Sequence, residues 1–323
     1  MENRKRVTEM TIKEIAHLAG VSSAAVSRYL NGGYVSDEKK EQIRRVIEET
    51  GYQPSAQARI LRTKKACLVG VVVPKINSES ISRVTAGIEQ VLSRRGYQML
   101  LASTDNDPRK EITYLKLFES YPVDGIILIG TVITAEHRKF LKGSKVPVVV
   151  VGQYTKYANC IYHDDYGAGK AMGKAAACFL DAGKKVGNIG VTKEDKAVGA
   201  AREDGFRAGL KSAGIELEDA CTRKAEFTMD SGYEAALDLL RGNTGIGVLS
   251  CATDTIAAGA IEALLTYGRK KVPREAEYSG GRMDYILASS KIRVTGFGDN
   301  QFLKAVTGGI PTVHFGYKTS GIR

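Results

Sequence analysis

Residues 11–31, Thr-Ile-Lys-Glu-Ile-Ala-His-Leu-Ala-Gly-Val-Ser-Ser-Ala-Ala-Val-Ser-Arg-Tyr-Leu-Asn, fit two short amphipathic helices joined by a Gly-Val-Ser turn. Thr11 and Glu14 have the spacing of a capping box, which starts the first helix at Ile12. Ile12, Ile15, Ala16 and Ala19 form one apolar stripe. Gly20 suits a helix end that needs positive φ, and Ser22 can cap the helix that follows. That second helix turns Val26, Tyr29 and Leu30 inward and leaves Ser23, Ala24, Ser27 and Arg28 outward. Ser36, Asp37 and Glu38 open a third helix, whose Ile43, Val46 and Ile47 face in and which Gly51 ends. A tri-helical unit with a short polar second helix is a shape that enters a DNA major groove. An ordinary αα-hairpin at the start of a domain fits the same pattern.

Charge leans toward the first of these readings. The whole chain carries 47 Lys/Arg against 36 Asp/Glu, a net +11, and residues 1–65 hold 13 of the bases against 8 of the acids. An excess of +5 in the first fifth of the chain suits a phosphate-facing module. A solvated basic tail would have the same composition. The five cysteines, at 67, 160, 178, 221 and 251, are widely spaced, odd in number and without a CxxC pair. They read as reduced buried thiols rather than disulfides or a zinc site. No signal peptide precedes the helices and no apolar run reaches about 18 residues, so a cytoplasmic location without membrane contact is expected.

After Lys65 the period changes. Leu68–Val73, Gln98–Ala102, Asp124–Ile129 and Val146–Val151 are short continuous apolar runs, as buried parallel strands are, with helical stretches between them. The pattern restarts after Asn159 with runs at Val186–Val191, Gly247–Cys251 and Lys291–Phe297. Alternating β and α with short connections predicts an α/β core of two doubly wound parallel-sheet lobes. Strand ends facing one cleft make a natural small-molecule site.

Enzymatic signatures are weak. Gly167-Ala-Gly169-Lys170 lacks the Ser or Thr and the spacing of a phosphate loop, and Gly167, Gly169 and Gly173 do not make GxGxxG. His17, His137, His163 and His314 are scattered, with no nucleophile elbow nearby. His17 reads as a surface or interface residue, no cofactor is expected, and the chain does not read as an enzyme.

Three elements lie in register over about fifty residues: Ala-Gly-Val-Ser…Val-Ser-Arg-x-Leu-Asn at 19–31, Gly-Tyr-x-Pro at 51–54 and Ala-Arg-x-Leu at 58–61. Together they resemble the lactose repressor (LacI/GalR) family of bacterial transcription regulators. The resemblance continues through Val69–Pro74, Val123–Ile127, Asp164–Gly169, Ala201–Phe206, Thr253-Asp254 and Gly296–Asn300, and the last leans towards sucrose- and trehalose-operon repressors. It implies a helix-turn-helix over residues 1–52 and a hinge helix or linker over 53–65. A periplasmic-binding-protein-like core would follow, with an N-subdomain at 66–158 completed by about 292–316 and a C-subdomain at 159–291.

The resemblance assigns DNA contact to Thr11, Ser22, Ser23, Ala24, Ser27, Arg28 and Asn31. Arg28 is read as pairing with guanine in the groove, in preference to a phosphate contact or a solvated side chain. Ala58, Arg59 and Leu61 belong to the hinge, where Leu61 would wedge into a flexible minor-groove step. For the cleft it assigns effector contact to Arg202, Asp254 and Asp299, and Asn77 and Ser78 follow the first strand, where they can line the same cleft. An arginine with carboxylates binds both faces of sugar hydroxyls. Asp254 can instead cap the helix it begins.

The implied protein is a homodimer on double-stranded operator DNA, released by a sugar or sugar phosphate. A family variant would instead need a purine or phosphorylated carrier-protein corepressor. A soluble sugar-binding or sugar-processing protein with an incidental N-terminal segment is the reading from another class. Departures from the family include Ser55 for Asn, Thr253 for Asn, Gly298 beside Asp299, and a longer segment at 274–290. The family's further helix and strands are expected beyond Arg323, and a lobe without them would expose apolar surface and a strand edge.

Overall fold

The computed structural model describes residues 10–52, 65–243, 245–269 and 292–323. Ser55, the hinge residues Ala58, Arg59 and Leu61, and the 274–290 segment lie outside them. Contacts divide the chain into two compact units, Met1–Ala66 and Cys67–Arg323.

In the first unit α1 (Ile12–Leu18), α2 (Ser23–Leu30) and α3 (Asp37–Thr50) form as their caps dictate. The capping box closes both ways. The Glu14 amide donates to Thr11 Oγ1 at 3.4 Å and the Thr11 amide donates to Glu14 Oε2 at 2.6 Å. The bond from the Thr11 amide, and a second from the Thr11 hydroxyl, hold the Glu14 carboxyl below its usual range. Gly20 turns the chain at φ +63°, and Gly51 ends α3 at φ +64°. Ser22 Oγ accepts from the Ala25 amide at 3.2 Å. Ser36 stands at the N-cap of α3 but its side chain makes no cap bond. Ile15, Ala16, Ala25, Val26, Ile43 and Val46 form the core, with Tyr29, Leu30 and Ile47 packed against it, and His17 is exposed.

The second unit holds two parallel sheets. In the first lobe β1 (Leu68–Val73), α4 (Glu79–Arg94), β2 (Gln98–Ser103), α5 (Pro108–Ser120), β3 (Gly125–Ile129), α6 (Ala135–Gly143), β4 (Val148–Val151) and β5 (Asn159–Ile161) build a sheet of order β2-β1-β3-β4-β5. The second lobe begins with α7 (Asp165–Phe179) and β6 (Lys185–Gly190). A π-helical turn (Lys196–Ala201), α8 (Arg202–Lys211), β7 (Thr222–Lys224) and α9 (Met229–Gly242) follow. Then come β8 (Ile246–Cys251), α10 (Asp254–Arg269), β9 (Arg293–Phe297), α11 (Gln301–Thr307), β10 (Thr312–Val313) and α12 (Tyr317–Ile322). Its sheet runs β7-β6-β8-β9-β10, the same winding as the first. Each lobe therefore reverses strand order between its first and third strands, and the loops leaving those strands form a crevice.

Two expected boundaries are corrected. Residues 292–316 do not complete the first lobe: Leu249 pairs with Val294 and Ser250 with Thr295, while Gly296 pairs with Thr312, so β9 and β10 extend the second sheet. Gly296 permits this placement, since a Cβ there would lie 2.2 Å from Asp254 Oδ1 at the head of α10. The last helix, α12, returns to the first lobe, where Gly321 crosses α4 so closely that a Cβ would lie 2.0 Å from the Val84 carbonyl. The first lobe also extends past 158, because Asn159, Cys160 and Ile161 pair with β4.

Glycines bring α7 and α8 together. A Cβ at Gly169 would meet the Arg202 carbonyl at 2.0 Å, and one at Gly205 would meet the Tyr166 carbonyl at 2.1 Å. Gly173 and Gly209 approach equally closely, at 2.3 Å each from the Phe206 and Lys170 carbonyls. While Gly167 only clears its own N-cap, Asp164, the Gly-x-x-x-Gly run at 169–173 thus serves helix packing. It also sets the first residue of α7, Asp165, beside the first residue of α8, Arg202.

Candidate functional site: a helix face and an interlobe cavity

On the first unit Ser22, Ser23, Ala24 and Arg28 are exposed along one side of α2, and Ser27 is half-buried. Thr11 and Ser22 have committed their hydroxyls to caps, so each offers a helix start rather than a free hydroxyl. Unpaired amides at such starts attract phosphate oxygens. Arg28 Nε donates to the Ala24 carbonyl at 3.4 Å, and Asn31 Nδ2 donates to the Ser27 carbonyl. The helix therefore presents small side chains and one guanidinium, which suits close approach to a groove floor.

In the second unit a cavity of about 150 Å³ opens where the strand ends of both lobes meet. The first lobe supplies Lys75 after β1, Thr131 after β3 and Gln153 after β4, and the second supplies Asp165, Asp195 and Arg202. Arg202 is buried, donating from Nε to Asp165 Oδ1 at 3.0 Å and from Nη1 to the Ala252 carbonyl at 2.5 Å. Its guanidinium lies 4.6 Å from the centre of the Phe297 ring and 5.1 Å from that of Phe315. Asp195 caps the π-helical turn by accepting from the Ala197 and Val198 amides at 3.0 and 2.8 Å. Burial pushes its carboxyl up, while the Gln153 bond and the capping amides pull it back.

Hydrogen bonds cross the cleft. Gln153 Nε2 donates to Asp195 Oδ1 at 2.7 Å, and Lys75 donates to the Phe227 carbonyl. At the rear, Arg83 donates to the Gly298 and Asp299 carbonyls at 3.4 Å, and the Gln301 amide donates to Glu79. Burial pushes the Lys75 ammonium and the His163 imidazole down and the Tyr317 phenol up to about 12.

Of the five residues expected in the cleft, Arg202 and Ser78 line this cavity. Asn77 is exposed and does not. Asp254 and Asp299 line a separate pocket with Lys304 and Thr312. Asp254 accepts from the Asn300 amide at 2.7 Å and from Thr312 Oγ1 at 2.9 Å, which ties the chain after β9 to β10. Nor does Asp254 cap α10: Thr253 Oγ1 does, accepting from the Ile256 amide at 3.2 Å. Asp299, at φ +52°, turns its carboxylate to His314 Nδ1 at 2.9 Å. Lys75, Gln153, Asp165 and Asp195 escaped the sequence reading. Lys75 and Gln153 stand two residues beyond an apolar strand run, a signal that could have found them.

Comparison with known proteins agrees with this architecture. Residues 11–55 match the model of bacterial regulatory proteins of the lacI family. Residues 66–285 match that of periplasmic binding proteins and the sugar binding domain of the LacI family. The chain is 31% identical over 310 residues to the sucrose operon repressor of Staphylococcus xylosus, covering 96% of this chain and 90% of that one. It is also 31% identical to catabolite control protein A of Priestia megaterium, covering 88% and 85%. Its fold matches the lac repressor dimer bound to operator and an anti-inducer with a TM-score of 0.78 at 17% identity, over 98% of this chain and 90% of that one. Among the described residues no helix is long and apolar enough to cross a membrane. With both family models matched and 31% identity to a sucrose operon repressor over 96% of its length, this chain belongs to the LacI family of bacterial regulatory proteins, as a DNA-binding transcription regulator and not an enzyme.

Proposed function

We propose that this regulator represses a sugar-utilisation operon and leaves its operator when a sugar or sugar phosphate enters the interlobe cavity. The observation that supports this most is the cavity itself, where Arg202 and two buried carboxylates from the second lobe face Lys75 and Gln153 from the first. Ligand groups that touch both sides favour one lobe arrangement over another, and that preference is what a ligand needs to shift an equilibrium. The similarity to a sucrose operon repressor over nearly the whole chain supports a saccharide. A corepressor that tightens DNA binding has less support.

DNA contact is assigned to Thr11, Ser22, Ser23, Ala24, Ser27, Arg28 and Asn31, with Ala58, Arg59 and Leu61 in the hinge. Effector contact is assigned to Arg202 and Ser78, joined by Asp165, Asp195 and Gln153 and no longer including Asn77, Asp254 or Asp299. Two copies of the chain would set two α2 helices in successive major grooves of a near-palindromic site. The test is fluorescence anisotropy on a pool of such operators with a central CG step, at two salt concentrations, with and without a panel of sugars and sugar phosphates. Tight, salt-dependent, sequence-selective binding that one sugar releases is expected. Binding strengthened by a ligand would transfer the assignment to corepression, and a folded dimer without selectivity would refute it.

A further inference from the structure

Two described segments carry the chain between the lobes: residues 162–164 lead from β5 to α7, and residues 314–316 lead from β10 to α12. His163 stands in the first segment and packs on the second. Its ring centre lies 4.8 Å from that of Phe315 and 5.5 Å, edge to face, from that of Tyr317. Its Nε2 is 3.1 Å from Ser320 Oγ on α12. That hydroxyl donates to the Gly316 carbonyl at 3.1 Å, so its oxygen is left to accept and Nε2 carries the proton of the neutral ring. Nδ1 keeps the lone pair and has no hydrogen-bond partner among the described residues, on a side chain that lines the interlobe cavity. The ring thus ties one joining segment to the other, and its one basic nitrogen is open to a proton.

Charge around the ring decides what that proton does. Asp165 on α7, Arg202 on α8 and Tyr317 on α12 face His163, and Lys75 and Asp195 line the same cavity. Burial pushes the imidazole down, Asp165 pulls it up, and Arg202 pushes it down again. Asp165 and Arg202 spend their charges on each other, so neither is a free counter-ion for an imidazolium. Nor are the aromatic faces free for a second cation. Arg202 already lies 5.1 Å from the Phe315 ring centre, and Arg83, from α4, lies 5.8 Å from that of Tyr317.

We propose that His163 is a proton sensor in the joint between the lobes: a proton taken up at Nδ1 drives the joining segments apart and weakens the hold on an effector. The effector half rests on the sugar-effector reading above, and the proton half does not. Parting the segments returns water to the ring and takes it away from Arg202, which is what an imidazolium needs. The packed arrangement therefore binds fewer protons than a parted one. Its advantage is complete above the ordinary histidine value of 6.5 and shrinks as pH falls below it, by at most about tenfold per pH unit. A ligand that needs the closed cavity loses affinity over the same range.

The experiment is an NMR titration of the full chain carrying carbon-13-labelled histidine, following each ring's Cε1–Hε1 signal from about pH 8 to about pH 4.5. His163→Gln keeps a side-chain donor for Ser320, does not titrate, and identifies the His163 signal by its loss. The expected midpoint for His163 lies below 6.5. It is expected to move up towards 6.5 in the double variant Gln153→Ala, Glu79→Ala, which cuts bonds across the cleft at front and rear. A parent midpoint at or above 6.5, or one that the double variant leaves unmoved, overturns the proposal. Calorimetry with sucrose then tests the effector half. Affinity is expected to fall about three- to tenfold from about pH 7.5 to about pH 5.5 in the parent, and by less in His163→Gln. An equal fall in both overturns the link to the effector. Absence of sucrose binding at either pH counts against the sugar-effector reading, while the NMR midpoints still decide the proton sensor.

Discussion

Asp165 holds Arg202 by a single oxygen: Nε and Nη2 both converge on Oδ1, at 3.0 and 2.5 Å, from helices whose first residues are these two. The pair is buried, with side-chain exposures of 8% for Arg202 and 6% for Asp165, so a charge left without its partner has only the cavity it lines from which to draw water.

Arg202→Ala therefore leaves the Asp165 carboxylate unpaired at the buried wall of the cavity and should cost about 3 kcal/mol of stability. Urea unfolding of the variant, followed by far-ultraviolet circular dichroism, measures this. A loss below about 1 kcal/mol would mean that water reaches Asp165 and that the pair is not buried in solution.

Gly205→Ala tests the packing that positions this pair. Its Cβ would lie 2.1 Å from the Tyr166 carbonyl, so α7 and α8 must separate. Overpacking of this kind costs about 1–3 kcal/mol, and separation moves Asp165 away from Arg202. Lower stability together with weakened sugar binding is expected in one titration series. Retained affinity would show that the pair does not depend on the helix contact.

In the first unit, Gly20 has nothing within 4 Å of its Cβ direction, so its role is its φ of +63° alone. Gly20→Ala should cost about 1 kcal/mol through backbone strain without any clash. Ser22→Ala, which removes the cap on α2, should cost about 1 kcal/mol as well. Both should weaken operator binding and leave sugar binding intact, as paired anisotropy and calorimetry can check. Arg28→Ala, by contrast, should leave stability near that of the parent while reducing affinity for the preferred operator.

Tyr317 gives a prediction with pH. Burial holds its phenol protonated up to about 12 in the folded protein, against about 10 in an unfolded chain. Between these values the folded state binds the extra proton, so its contribution is complete below about 10 and is lost as pH rises through about 12. Urea midpoints measured across this window should fall with pH, and Tyr317→Phe should flatten that part of the profile. An equal slope in the variant would assign the alkaline loss to other groups.

The two units differ in how far local chemistry carries. In the first, caps and turns act within four residues: Thr11 with Glu14, Ser22 with Ala25, and Gly20 and Gly51 by φ alone. Spacing along the chain is the same thing as geometry there, so helix starts, the inward stripe and the outward face were all legible. Strand runs in the core were legible for a similar reason, since parallel strands buried on both faces read as continuous apolar runs.

Which sheet a run joins was another matter. Arg293–Phe297 is equally apolar whether it completes the first lobe or the second, and only its pairing with β8 in the folded chain shows which, with Gly296 leaving the room that Asp254 needs. The cavity shows the same limit. Asp254 and Asp299 looked like ligand carboxylates, yet one is used to tie the chain after β9 to β10 and the other meets His314. Asp165 and Asp195, which do face the cavity, carry no local mark that separates them from surface acids. Residue type and order were enough for the family, the helix-turn-helix and Arg202, because those signals are local. Choosing among carboxylates required the packing of α7 on α8 and the closure of two lobes, which depend on contacts between residues far apart in the chain.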